Sequence, residues 1–171
     1  MNLERRNRER ISSLMKKRKF ISFMAVIVWM FLLFFLSSQP ATESGALSRN
    51  VTQMIISFVQ QVFPSVELDL QSLHGLVRKS AHFFGYFALG LLVMTALGTS
   101  NIRGNRRVVI TLFICLAYAI ADEIHQVFIP GRAGQVVDVI IDTSGSLVGI
   151  LIYLAFARLR KNSEREKQRA E

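Results

Sequence analysis

Asp122, Glu123, His125 and Gln126 stand together in the stretch DEIHQVFIPGR, directly after the apolar run RRVVITLFICLAYAIA. Arg132 closes that stretch, and Asp138 and Asp142 follow it, with Ser146 one turn further. Earlier in the chain, Lys79, His82 and Tyr86 recur at i, i+3 and i+7, one face of a helix. Carboxylate and imidazole are the groups of proton transfer and of divalent-cation binding. Arginine forks onto phosphate, and lysine meets it as a point charge. No HExxH or comparable metal signature is present, and neither metal ligands nor a cofactor are assigned.

These residues need elements to hold them. The chain has 171 residues, is 51% hydrophobic and carries a formal charge of +9. Its charge lies in short blocks between long apolar runs, the pattern of a membrane protein rather than a basic face for nucleic acid. Its one cysteine, Cys115, excludes an intrachain disulfide and any Cys-rich zinc site. A helix needs roughly 20 apolar residues to cross a bilayer. Four segments qualify, at about 20–38, 81–99, 107–129 and 136–157. The first is too long for the core of a cleaved signal peptide and reads as a retained anchor. The expected fold is therefore all-α, a four-helix transmembrane bundle. Residues 1–19 form a basic tail, 20–157 the membrane domain and 158–171 a charged tail.

Charge bias sets the expected topology. Residues 1–19 hold eight Lys and Arg, residues 100–107 hold three and the tail from Arg158 holds six. The two loops on the other side hold Arg49, Arg78, Lys79 and Arg132. The positive-inside rule then places both termini in the cytoplasm. The first outer loop contains SGALSRNVTQMIISFVQQVF, with apolar residues at Leu47, Val51, Met54, Ile55, Phe58, Val59 and Val62. That periodicity predicts an amphipathic helix on the outer surface, stopped by Pro64, either capping the bundle or forming a lid.

With this topology the second span starts, the third ends and the fourth starts at the outer boundary. All the odd polar residues then converge at one level: Lys79, His82, Tyr86, Asp122, His125, Gln126, Arg132, Asp138 and Asp142. Glu123 is turned about 100° from Asp122 and faces either the cluster or elsewhere. Ionisable side chains inside a span are costly and mark function by default. The purely structural alternative is a network in which Lys79 and Arg132 pair with Asp122, Asp138 or Asp142. Pro130-Gly131 reads as the turn between spans, and Gly145 with Gly149 forms a weak GxxxG signal for close helix approach.

At these residues the chain resembles the VanZ-like family. KSAHFFGYFALGLL is similar to the family's K-x-x-H-x-x-x-Y segment, and DEIHQVFIPGRAGQVVDVIIDTSGSLVG to its D-E-x-H-Q … P-G-R … D-x-x-x-D/N-x-x-G signature. The resemblance runs from about Phe20 to about Ala157. It implies a small multi-pass bacterial membrane protein, in a family named for a member linked to teicoplanin resistance. The motif falls on Lys79, His82, Tyr86, Asp122, Glu123, His125, Gln126, Arg132, Asp138, Asp142 and Gly145, and it also admits Asn at the position of Asp142.

Three functions fit these observations. The first, and favoured, is binding or handling an anionic lipid headgroup, such as a lipid-linked cell-wall precursor, with an effect on glycopeptide susceptibility. The second is a hydrolase or transferase on a lipid phosphate, with a divalent cation held by the acidic and histidine residues. The third is a non-catalytic scaffold for an envelope protein partner. Nucleic acid is not an expected partner.

Overall fold

The computed structural model describes residues 2–62, 70–100 and 102–170. They form five helices: α1 (Asn2–Ser37), α2 (Ala41–Val62), α3 (Leu70–Gly98), α4 (Gly104–Gln126) and α5 (Val136–Ala170). No strand occurs among the described residues. Four helices, α1, α3, α4 and α5, are long and apolar enough to cross a membrane, and the protein is a membrane protein of the all-α class. Phe31, Phe113 and Phe156 are 70, 71 and 69% exposed on three of these helices. Apolar faces this open suit contact with lipid, not water. The basic residues before Phe20 continue α1 as helix, and α5 likewise runs on through the charged C-terminal segment.

The core is small and lies along α3. Tyr86, Leu89, Val93, Ala96 and Leu97 of α3 pack with Val26 of α1 and with Cys115 and Ala119 of α4. Association inside a bilayer relies on close packing and on polar contacts between helices, because lipid is as apolar as leucine. Both devices are present. Gly90, Gly145 and Gly149 sit where α3 and α5 touch backbone to backbone. A Cβ on Gly90 would lie 2.6 Å from the Ser146 carbonyl oxygen. Cβ atoms on Gly145 and Gly149 would collide with the Phe83 and Phe87 carbonyls. Ser146 Oγ donates to the Tyr86 carbonyl at 3.2 Å across the same seam. The GxxxG signal thus marks a real close approach, made by small residues.

Side-chain hydrogen bonds tie the remaining helices to this pair. Trp29 Nε1 of α1 donates to the Gly85 carbonyl of α3 at 2.9 Å, and Tyr118 Oη of α4 donates to the Met30 carbonyl of α1. At the end of the bundle near the termini, Arg107 of α4 donates to the Met94 carbonyl of α3 and to Tyr153 Oη of α5 at 2.6 Å. Its guanidinium also lies over the Tyr153 ring, 4.6 Å from the centroid.

Helix α2 follows α1 after a short bend and touches α3. It is the amphipathic helix expected from the sequence, with most of its apolar stripe left open rather than packed on the bundle. The less exposed positions are Thr52, Ile56 and Val59, while Val51, Met54, Ile55, Phe58 and Val62 remain exposed. An apolar side chain beside lipid needs no protein partner, so periodicity alone picked out the outward stripe. The side chain of Leu47, and Pro64, lie outside the described residues.

Candidate functional site

The site forms where α1 ends, α3 begins, α4 ends and α5 begins. A helix presents residues four apart on one face. Along α3 this aligns Arg78, His82 and Tyr86; along α4, Asp122 and Gln126; along α5, Asp138, Asp142 and Ser146. The glycine seam lets α3 and α5 approach until His82 Nδ1 lies 3.5 Å from Asp142 Oδ1. Between α4 and α5 the chain turns through Pro130 and Gly131, whose φ of 74° is a left-handed conformation suited to glycine. The turn brings the backbone N–H of Gln135 to Glu123 Oε2 at 2.8 Å and carries Arg132 back over the site.

A cavity of about 170 Å³ opens there. Its polar lining is Ser37, Gln39, Arg78, His82, Tyr86, Asp122 and Arg132, with Leu33 and Leu36 of α1 forming part of the apolar wall. No described residue of α2 lines it, so a lid in this helix finds no support among the described residues.

Beside the cavity, His82, Asp122, Glu123 and Asp142 each place one donor atom within 4.8 Å of the others. The three carboxylates are almost fully buried, and Asp142 is completely so. Gln126 holds two of them together: its Nε2 donates to Glu123 Oε1 at 3.0 Å and, more weakly, to Asp122 Oδ2 at 3.4 Å. Its Oε1 accepts from Arg78 Nη2 at 3.4 Å. Asp138 is also buried on the same face of α5, with Oδ1 unpaired.

The charges at this site are not matched pairwise. Among the described residues no Lys or Arg makes an ion pair with Asp122, Glu123, Asp138 or Asp142. The purely structural alternative, a network of Lys79 and Arg132 with the aspartates, is therefore not the arrangement found among the described residues. Neither carboxylate oxygen of Asp142 accepts a hydrogen bond, and Tyr86 Oη, buried beside it, has no partner. At 4.8 Å, two like charges repel by about 3.5 kcal/mol at an effective dielectric of about 20. Arg132 has its own deficit: Nε and Nη1 are buried without acceptors. Burial, reinforced by the nearby charge of Arg78, pushes its guanidinium below the ordinary arginine value, while Asp122 and Glu123 act in the opposite direction.

The ten residues expected at the site divide as follows. His82, Tyr86, Asp122 and Arg132 line the cavity, and Glu123, Gln126 and Asp142 adjoin it. Asp138 is buried one turn before Asp142. Glu123 faces the cluster, which settles its two possible directions. His125 turns away: its Nε2 is 3.2 Å from Ser38 Oγ, and its ring stacks on Phe34 at 4.5 Å. Lys79 is exposed and does not line the cavity; Arg78, one residue earlier, takes the place expected for it. Lys79 and Arg78 both lie within reach of the His82–Tyr86 face, so spacing alone could not separate them.

A family model described as VanZ/LLP1 matches residues 22–157 of the chain. No curated protein and no solved structure matches it.

Proposed function

From the premise that the chain belongs to the VanZ/LLP1 family, we propose that it binds or handles an anionic, phosphate-bearing lipid headgroup of the cell envelope. One observation carries this reading: two guanidinium groups, Arg78 and Arg132, line one cavity without a carboxylate partner, and Arg132 keeps two buried donors free. A phosphate accepts forked donors from both, and such charge-assisted bonds are among the strongest a site can offer. His82, Tyr86 and Asp122 line the same cavity and are suited to hydroxyl groups on the ligand.

In this reading the cavity faces outward and both termini are cytoplasmic, as the charge bias favours. A membrane-impermeant thiol reagent should label Ala133→Cys in intact cells and label Ser163→Cys only after lysis. The reverse pattern would refute the orientation. Handling a lipid-linked wall precursor at this face would alter susceptibility to teicoplanin-type glycopeptides, which a deletion and complementation series measures directly.

The decisive experiment is lipid copurification with mass spectrometry. Phosphate-bearing precursor lipids should be enriched over bulk lipid in the wild type and lost in Arg132→Ala. No enrichment in the wild type would sink the proposal. A second reading, a hydrolase or transferase on the same phosphate, is favoured by the convergence of His82 with three carboxylates at the cavity. Turnover of a lipid pyrophosphate by the purified protein, abolished in His82→Gln, would establish it.

A further inference from the structure

We propose that His82, Asp122, Glu123 and Asp142 bind one divalent cation of the Mn²⁺ or Zn²⁺ class. This goes beyond the headgroup reading and does not depend on it. The first support is geometric: one imidazole nitrogen and three carboxylate oxygens, from three different helices, lie within 4.8 Å of one another. Four ligand atoms set tetrahedrally about 2.1 Å from a cation lie roughly 3.4 Å apart, so donor pairs near the 4.8 Å limit must close by about 1.4 Å, while His82 Nδ1 and Asp142 Oδ1 already stand 3.5 Å apart.

The second support is the state of Asp142. Its side chain is fully buried, and neither of its oxygens has a hydrogen-bond donor. A buried carboxylate is ordinarily satisfied by hydrogen bonds, a paired cation or a metal. Here the nearest basic group is His82, at 3.5 Å and without hydrogen-bond geometry. A cation among these side chains accepts electron pairs from Asp142 and His82 together and offsets the repulsion among the three carboxylates.

The third support is the scaffolding around the donors. Gln126 Nε2 donates to both Asp122 and Glu123, and the Gln135 backbone N–H donates to Glu123. Outer hydrogen bonds of this kind orient ligating carboxylates and are part of how metal sites are built. One imidazole with three carboxylates selects a borderline cation over Ca²⁺, which takes oxygen ligands alone. Because His82 and Asp122 also line the cavity, a cation bound here keeps a face open to whatever enters it.

The test uses the full, untagged chain in detergent, stripped with a chelator and titrated separately with Mn²⁺ and Zn²⁺. At least one ion should bind at one equivalent. Its affinity should fall at least tenfold in both Asp142→Asn and Glu123→Gln, and persist in His125→Gln. Failure of both ions to bind the wild type at one equivalent would overturn the proposal, as would undiminished binding in the two carboxamide variants. Should those variants not fold, electron spin-echo spectroscopy of Mn²⁺ on the wild type decides: imidazole nitrogen coupling supports the site, and its absence overturns it. For a Zn²⁺-only binder, X-ray absorption gives the same decision from the presence or absence of outer-shell scattering by an imidazole ring. Headgroup copurification is scored separately, so failure of one reading leaves the other standing.

Discussion

His82 Nδ1 faces Asp142 Oδ1 across the seam between α3 and α5 at 3.5 Å, with Asp142 fully buried and His82 open to the cavity. The two residues are 60 positions apart in the chain. Their meeting depends on glycines one turn further into the bundle, which let the two helices touch backbone to backbone. Chemistry and packing at this end of the protein are therefore one problem.

The first prediction concerns that seam. Gly145→Ala puts a methyl group against the Phe83 carbonyl, with backbone on both sides and no flexible side chain to yield. Overpacking of this kind costs about 1–3 kcal/mol. Gly75→Ala meets nothing within 4 Å and should be neutral, or stabilising by up to about 1 kcal/mol through helix propensity. Thermal unfolding in detergent compares the two, and equal midpoints would contradict the seam.

A second prediction separates two adjacent cations. Arg78→Ala should reduce copurified phosphate-bearing lipid by about tenfold, about 1.4 kcal/mol, whereas Lys79→Ala should leave it unchanged. Arg78 lines the cavity and Lys79 is exposed. Quantitative mass spectrometry of bound lipid reads both variants, and a stronger effect at Lys79 would return the site to the arrangement expected from sequence.

That pair of residues shows where the sequence was informative and where it stopped. Spans, helical periodicity and the positions of intramembrane charge required only local pattern, and they located the right ends of α3, α4 and α5. Choosing between Arg78 and Lys79 required the rotation of α3 about its axis, which is set by contacts with α5. Glu123 was undecided for a similar reason. Its partner, the Gln135 N–H, arrives through a turn twelve residues downstream. His125 has the right spacing from Asp122, yet it packs on Ser38 and Phe34 of the α1 end, a contact 87 residues distant to Ser38 that no local pattern encodes.

A third prediction addresses the opposite end of the bundle. Tyr153→Phe removes one hydrogen bond from Arg107 but keeps the ring beneath its guanidinium. The expected loss is about 1 kcal/mol. Arg107→Leu removes the bonds to α3 and α5 together and should cost more, without altering cation or headgroup binding. Unfolding midpoints order the two variants.

A fourth prediction follows from linkage. A cation that binds only the folded protein stabilises it by about 2.7 kcal/mol at a hundred times its dissociation constant. Mn²⁺ or Zn²⁺ should therefore raise the unfolding midpoint of the wild type, and a chelator should reverse the rise. In Asp142→Asn the same addition should have little effect. An equal rise in that variant would assign the stabilisation to some other part of the surface.

The glycine seam also makes the bundle mechanically uneven. At Gly90, Gly145 and Gly149, α3 and α5 meet main chain on main chain, and their separation there is fixed by that contact. The other wall of the cavity is α1, which supplies Leu33, Leu36 and Ser37 and is held by the core contact of Val26, by the Trp29 and Tyr118 hydrogen bonds, and by His125 against Phe34 and Ser38 at its end. The cavity is thus walled by main chain packed on main chain on one side and by side-chain contacts of α1 on the other.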